Sequence, residues 1–358
     1  MARWNGSMSD RHSAQHSDAI IIGAGPCGVF AAFQLGVHGL RSQIVDTLDR
    51  VGGQCIELYP DKPIYDIPAC PEIGAAELVE RLTVQAACFS PTYHMGQQAT
   101  SLEQTSDGEW AVTTDGGLVL QAPVVVIAAG GGSFAPKTPP NLGRLAEFEG
   151  GAVRYAVPNL SAHAGERIVI AGGGDSAVDW AIALSPVATE VVLVHQREEL
   201  RAQRHSASRL QVLAEEGRVR RLTGRVVDLH GTAPSLEAVT VHGKDGRTVV
   251  PADRLLVFFG FIMREGPLAS FGFELSEGLI PVDTERFETS LPGVFAIGDI
   301  ATYPGKRKLI LSGFHEAALM AAAAARRCRP GESPSTEYST SSPLFRERTQ
   351  SELGGRSP

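Results

Sequence analysis

The sequence predicts an α/β protein made of two three-layer nucleotide-binding domains. A strand–glycine turn–helix–strand unit occurs twice, and its two copies share their spacing. Residues 18–23 (DAIIIG) form a short β-branched run of the kind buried on both faces of a parallel sheet. Residues 24–28 turn, 29–37 are helical with Gly39 beyond the end, and 42–46 are the next strand. Residues 167–171 (RIVIA), 172–176, 177–184 and 191–195 (VVLVH) repeat that order. The leading glycines, Gly23 and Gly172, are 149 positions apart. Each second strand ends 23 positions after its glycine, at Asp46 and at His195. Both domains are therefore predicted to be Rossmann-like.

Between the copies the pattern gives a helix over 75–87, a hairpin region over 99–114 and an apolar strand over 124–129. Glycines 130–132 and prolines 136, 139 and 140 mark one crossing between domains, and a second falls near 263–278. A strand ending in Gly298-Asp299 follows (SLPGVFAIGDI, 290–300), then an Ala-rich helix over 315–327. Residues 331–358 are rich in Ser, Pro and charge and read as a tail whose end is disordered.

The length of 358 residues suits two domains. Thirty-nine glycines fit tight strand-to-helix turns facing nucleotides. A formal charge of −8 implies no general affinity for nucleic acid. The longest apolar helical stretch, 317–325, falls well short of the ~20 residues of a membrane span. Residues 1–17 are polar, lack the apolar core of a secretory signal and read as a disordered leader, so a cytoplasmic protein is expected. Cys27, Cys55, Cys70, Cys88 and Cys328 form no Cys-x-x-Cys. Neither a disulfide framework nor a metal site is predicted from them, and each reads as a small buried hydrophobe.

The first motif is Gly23-x-Gly25-x-x-Gly28. Its first glycine permits the tight turn, Gly25 lets a pyrophosphate approach the backbone, and Gly28 lets helix and strand pack closely. The helix N-terminus favours the phosphate charge. Asp46, at the end of the next strand, can accept from both hydroxyls of an adenosine ribose; a loop-capping carboxylate is the alternative. The second motif is Gly172-x-Gly174-x-x-Ala177. His195 stands where the first copy has Asp46, followed by Gln196 and Arg197, with Arg201 and Arg204 expected on the next helix. A carboxylate there would repel an adenosine 2′-phosphate, whereas arginine pairs with it. This predicts NADPH rather than NADH, the alternative being a solvated basic face. Two dinucleotide sites imply one bound flavin, FAD, and one exchangeable nicotinamide. Hydride transfer between them needs no side-chain acid, base or nucleophile, so no catalytic residue is assigned.

Residues 18–340 resemble the two-domain flavoprotein disulfide reductases of thioredoxin-reductase type, and within them the thioredoxin-reductase-like ferredoxin–NADP⁺ reductases. The strings that carry the resemblance are IIIGAGPCG, VGGQCIELYPDKPIYDIP, IAAGGGSF, AGGGDSAVDWA, VFAIGDI, GFHEAA and YSTSSPLF. The resemblance implies a split FAD domain, residues 18–136 and 278–340, with an NADPH domain, 140–275, inserted in it, and a tail over 341–358. It implies FAD contacts from Asp46, Gln54, Tyr59, the backbone of Ala99, Phe134, Asp299 and Thr340. The alternative readings are core aromatics for Tyr59 and Phe134, a turn residue for Gln54 and a cap for Asp299. The helix near His315 would aim its N-terminal end at the pyrimidine edge of the flavin. The resemblance also implies a homodimer, with Tyr338 of the tail stacking on a flavin.

Thioredoxin reductases carry a Cys-x-x-Cys just before the second glycine motif; here that stretch, VRYAVPNLSAHAGERIVIAGGG, has no cysteine. Electrons must then leave from the flavin itself, and the resemblance implies ferredoxin or flavodoxin as partner alongside NADP(H). Gln196 stands where the family often has a second basic residue. Lys306, Arg307 and Lys308 are candidates for docking an acidic ferredoxin, with a solvated loop as the alternative. The other activities compatible with these motifs are reduction of a quinone or free flavin, and a flavin-binding sensor that does not turn over.

Overall fold

A computed structural model describes residues 14–331, apart from 141, 158 and 265. Two units emerge from it. The first comprises the described residues of Met1–Ile56, Pro63–Ser133 and Glu265–Pro358, and the second comprises those of Glu57–Lys62 and Phe134–Arg264.

The first unit is built on a five-stranded parallel sheet in the order Val294–Ala296, Val124–Ile127, Ala19–Ile22, Ser42–Asp46, Thr92–Met95. Alternation across the sheet assigns its two faces. Ala19, Ile21, Ile44, Val124 and Val126 pack under helices Pro26–Val37 and Ile310–Cys328 through Ala31, Ala32, Leu35, Ala317, Met320 and Ala324. Ile20, Ile22, Val45, Val125 and Ile127 pack against a four-stranded sheet that includes Ala99–Gln104 and Trp110–Thr114. The helix expected over 75–87 is present as Ala75–Ala87 and buries Leu78, Val79 and Leu82.

Three sequence expectations are corrected here. The leader does not reach residue 17: Gln15–His16 is a strand paired in parallel with Val119–Ala122, and the Gln43 side chain donates to the Gln15 carbonyl. The last helix begins at Ile310 rather than near His315. Gly313 lies inside this helix, where a Cβ would fall 2.2 Å from the Cys27 sulfur. The second unit ends at Arg264 rather than at 275, and Phe271 and Phe273 join the first unit's core.

The second unit repeats the plan. Its parallel sheet runs Val153–Arg154, Arg254–Phe258, Arg167–Gly172, Glu190–His195, Arg220–Thr223. Helices Asp175–Leu184 and Arg204–Glu215 contribute Ala177, Val178, Trp180, Ala181, Leu184 and Leu210 to the core on one face. An antiparallel sheet of Arg225–Thr232, Ser235–Gly243 and Gly246–Pro251 covers the other through Leu229, Val239, Val241 and Val250. Both units are three-layered, as the repeated motif predicts.

Candidate functional sites

In the first unit Gly23 has φ +114°, and a Cβ on it would meet the Ala128 carbonyl oxygen at 2.3 Å. Gly28 could carry no side chain either, since its Cβ would lie 1.9 Å from the Gly23 oxygen. Gly25, the N-cap of helix Pro26–Val37, has nothing within 4 Å of its Cβ position. That is the open space a diphosphate needs, beside the free amides of a helix start. Pro26 presets the first helical φ without losing a needed donor. The loop of Gly52 and Gly53 crosses this turn: the Gly52 amide donates to Ala24, and a Cβ on Gly53 would fall 3.1 Å from the Gly25 Cα. The Asp46 carboxylate accepts from the amides of Ala24 (2.6 Å) and Leu48 (2.9 Å). Burial pushes its pKa up, opposed by those backbone donors. Gln97, two residues before Ala99, donates its amide to the Asp46 carbonyl, so the strand bearing Ala99 starts at the same corner. The Gln54 amide nitrogen faces the glycine run, 3.2 Å from where a Cβ on Gly131 would be.

Asp299 lies in the turn Gly298–Ile300, and Gly298 is fixed by a network the sequence did not reveal. Glu316 is fully buried and accepts from the Gly298 amide (2.6 Å), the Tyr303 hydroxyl (2.8 Å) and Lys306. Lys306 is therefore a buried ion-pair partner rather than part of an exposed docking patch; Arg307 and Lys308 are exposed. The Cys27 sulfur packs between Gly298 and Gly313. Burial, with Asp299 and Glu316 adding to it, pushes its thiol up to about 12, so it is protonated and no nucleophile near neutral pH.

Tyr59 and Phe134 belong to the second unit. Tyr59 packs on the second unit's helical core, in a segment pinned where Asp61 accepts from the Leu160 amide (2.9 Å) and Lys62 pairs with Asp179 (2.7 Å). Phe134 starts the second unit within strand Ser133–Pro136. Thr340 and Tyr338 lie outside the described residues.

In the second unit Gly172 has φ +156°, and its Cβ would meet the Phe258 oxygen at 2.6 Å and the Ala177 Cβ at 2.8 Å. Gly174, the N-cap of helix Asp175–Leu184, again faces open space. A cavity of about 670 Å³ lies over this turn, lined among others by Gly174, His195, Gln196, Arg201 and Arg225. The His195 ring lies against Gly173, and its Nε2 is buried without a hydrogen-bond partner among the described residues. Burial lowers the His195 pKa, and Arg201, Arg197 and Arg221 lower it further. Arg201 is not on a helix: it precedes Arg204–Glu215, in a loop tied down by its own amide donating to Gly173 (2.7 Å). Arg204 opens that helix, and Arg197 is exposed in the turn after His195.

Both corners fit a dinucleotide: an open second glycine, a helix start and a polar strand end, carboxylate in one unit and basic surroundings in the other. Two such cradles on three-layer α/β units define a two-nucleotide oxidoreductase. The chain belongs to the pyridine nucleotide-disulphide oxidoreductase family, whose model matches residues 17–326. It is an oxidoreductase working with FAD and a pyridine nucleotide.

The chain is 51% identical over 333 residues to a ferredoxin–NADP reductase of Parvibaculum lavamentivorans, covering 93% of this chain and 97% of that protein. It is 49% identical to one of Mesorhizobium japonicum and 47% to one of Bradyrhizobium sp. strain ORS 278, with the same coverage. Among solved structures it resembles the thioredoxin reductase of T. acidophilum (TM-score 0.75, 23% identity, 87% of this chain and 98% of that one). It also resembles that of Lactococcus lactis (TM-score 0.73, 22% identity, 87% and 99%). At such identities these structures speak for the fold alone.

Proposed function

We propose that the protein is a ferredoxin–NADP⁺ reductase, passing hydride from NADPH to FAD and electrons singly to ferredoxin or flavodoxin. The observation that carries this reading is the pairing of two nucleotide cradles with the lack of any Cys-x-x-Cys in the chain. Cys27, the cysteine nearest the Gly298-Asp299 turn, is held protonated. With no dithiol, the route of a disulfide reductase is closed, and electrons leave from the flavin. The full-length relatives at 47–51% identity that bear this name support the same reading.

When bound, FAD supplies the exchange between one hydride and two single electrons. The chain's own residues bind and orient. Gly25 and Gly28 admit the FAD pyrophosphate, Asp46 accepts from the adenosine ribose, Ala99 offers its backbone to the adenine, and Gln54 and Asp299 approach the flavin half. Gly174 admits the NADPH pyrophosphate, and Arg201 with Arg197 meets the 2′-phosphate. By resemblance to the same reductases the protein is a cytoplasmic homodimer, which sedimentation velocity would check.

The test is anaerobic. Protein reduced with one equivalent of NADPH is mixed with oxidised ferredoxin, and the flavin absorbance is followed. Recovery of the yellow form with reduction of two ferredoxins per flavin is the expected result. Recovery with quinone or free flavin alone would assign a different acceptor, and no reduction by NADPH would leave a flavin-binding sensor.

A further inference from the structure

A 2′-phosphate carries a charge of about −1.5 to −2 at neutral pH, and the groups at the second unit's strand ends supply less to meet it than their number suggests. Gln196 is neutral. His195 is kept from charging by burial and by three neighbouring arginines. The Arg221 guanidinium is committed, donating to Gln211 (2.9 Å) and to the Glu198 carbonyl (2.7 Å). Arg197, Arg201 and Arg225 are all exposed, and of these Arg201 and Arg225 line the cavity. Neither guanidinium has an ion pair or a hydrogen bond among the described residues.

The strand ends stand in a row. Ala171 registers with Val194, and His195 with Thr223. The Gly224 amide donates to the His195 carbonyl (2.8 Å), which places Arg225 two residues past the third strand's end at Thr223. A dinucleotide whose pyrophosphate sits at the Gly172 turn extends its adenosine outward along this row, past His195 towards Arg225.

We propose that Arg225 is a specificity-determining residue, a further cation that joins Arg201 and Arg197 in clamping the adenosine 2′-phosphate, in place of the charge missing at Gln196. The proposal rests on the reading of this cavity as the NADPH site. An arginine fork suits a phosphate through paired charge-assisted donors. Arg225 reaches the site from the first residue of the antiparallel sheet rather than from the glycine-motif unit itself.

The test uses the FAD-loaded protein and two ligands that lack nicotinamide, 2′,5′-ADP and 5′-AMP, titrated calorimetrically. Wild type is expected to bind 2′,5′-ADP the more tightly. Arg225→Gln is expected to weaken 2′,5′-ADP at least tenfold and leave 5′-AMP unchanged, with the flavin spectrum showing an intact fold. If the variant weakens both ligands equally, Arg225 serves the adenine and the proposal is wrong. It is equally wrong if the variant keeps the full preference of wild type. If wild type shows no preference, the NADPH reading of the cavity fails and takes the proposal with it.

Discussion

The two glycine turns use one backbone device under opposite conditions. In the first, Gly28 is forced, because a methyl would sit 1.9 Å from the Gly23 oxygen, and the Gly52–Gly53 loop lies across the turn. In the second, Ala177 fits in the matching place, and the turn faces a cavity of about 670 Å³. The strand ends differ as sharply: Asp46 accepts from backbone amides in one unit, and His195 stands among Arg201, Arg197 and Arg221 in the other. Around the first site the supporting charges are buried, as in Glu316 with Lys306; around the second they are exposed. A covered, acid-ended cradle suits a resident cofactor, and an open, base-ended one suits a substrate that comes and goes.

Breaking the buried side of this comparison should cost most. Lys306→Met removes the ion-pair partner of the fully buried Glu316. A loss of about 3–5 kcal/mol is expected, read by thermal or denaturant unfolding. Arg307→Ala, one residue on and exposed, should change stability by less than about 0.5 kcal/mol. Gly28→Ala should cost about 1–3 kcal/mol by overpacking and release FAD on gel filtration. Ala177→Gly in the second turn should keep FAD bound. Asp46→Ala should weaken FAD about 10- to 100-fold, the worth of hydrogen bonds to a charged group, while NADP⁺ binding is spared.

The smallest effect concerns pH. His195 is held below its ordinary pKa, so the unfolded chain takes up its proton first as pH falls. Its contribution to stability is complete above about 6.5 and is lost as pH falls below that. His195→Asn should flatten this part of the stability–pH curve slightly.

Periodicity made much of this molecule legible. Fully apolar strands such as Ala19–Ile22 and Val124–Ile127 are unmistakable, and helix Ala75–Ala87 alternates its faces cleanly. What stayed hidden depended on a distant partner. Lys306 sits in a charge run that reads as solvated, and only the fold brings Glu316 to it. Nothing local in the sequence shows that the Cys27 sulfur fills the side-chain space of Gly313. Gln15–His16 has no apolar pattern; this two-residue edge strand is held by backbone pairing and by the Gln43 side chain. Arg225 lies past the motif in sequence and joins the cavity through the sheet register.

The division of labour between the two cradles is most directly tested by stopped-flow reduction of the FAD-loaded protein with NADPH and with NADH under anaerobic conditions. The account expects saturable bleaching of one flavin per NADPH, with NADH needing about 10- to 100-fold higher concentration, the worth of charge-assisted bonds to the 2′-phosphate. Equal half-saturation by the two nucleotides, or no bleaching by either, would contradict it.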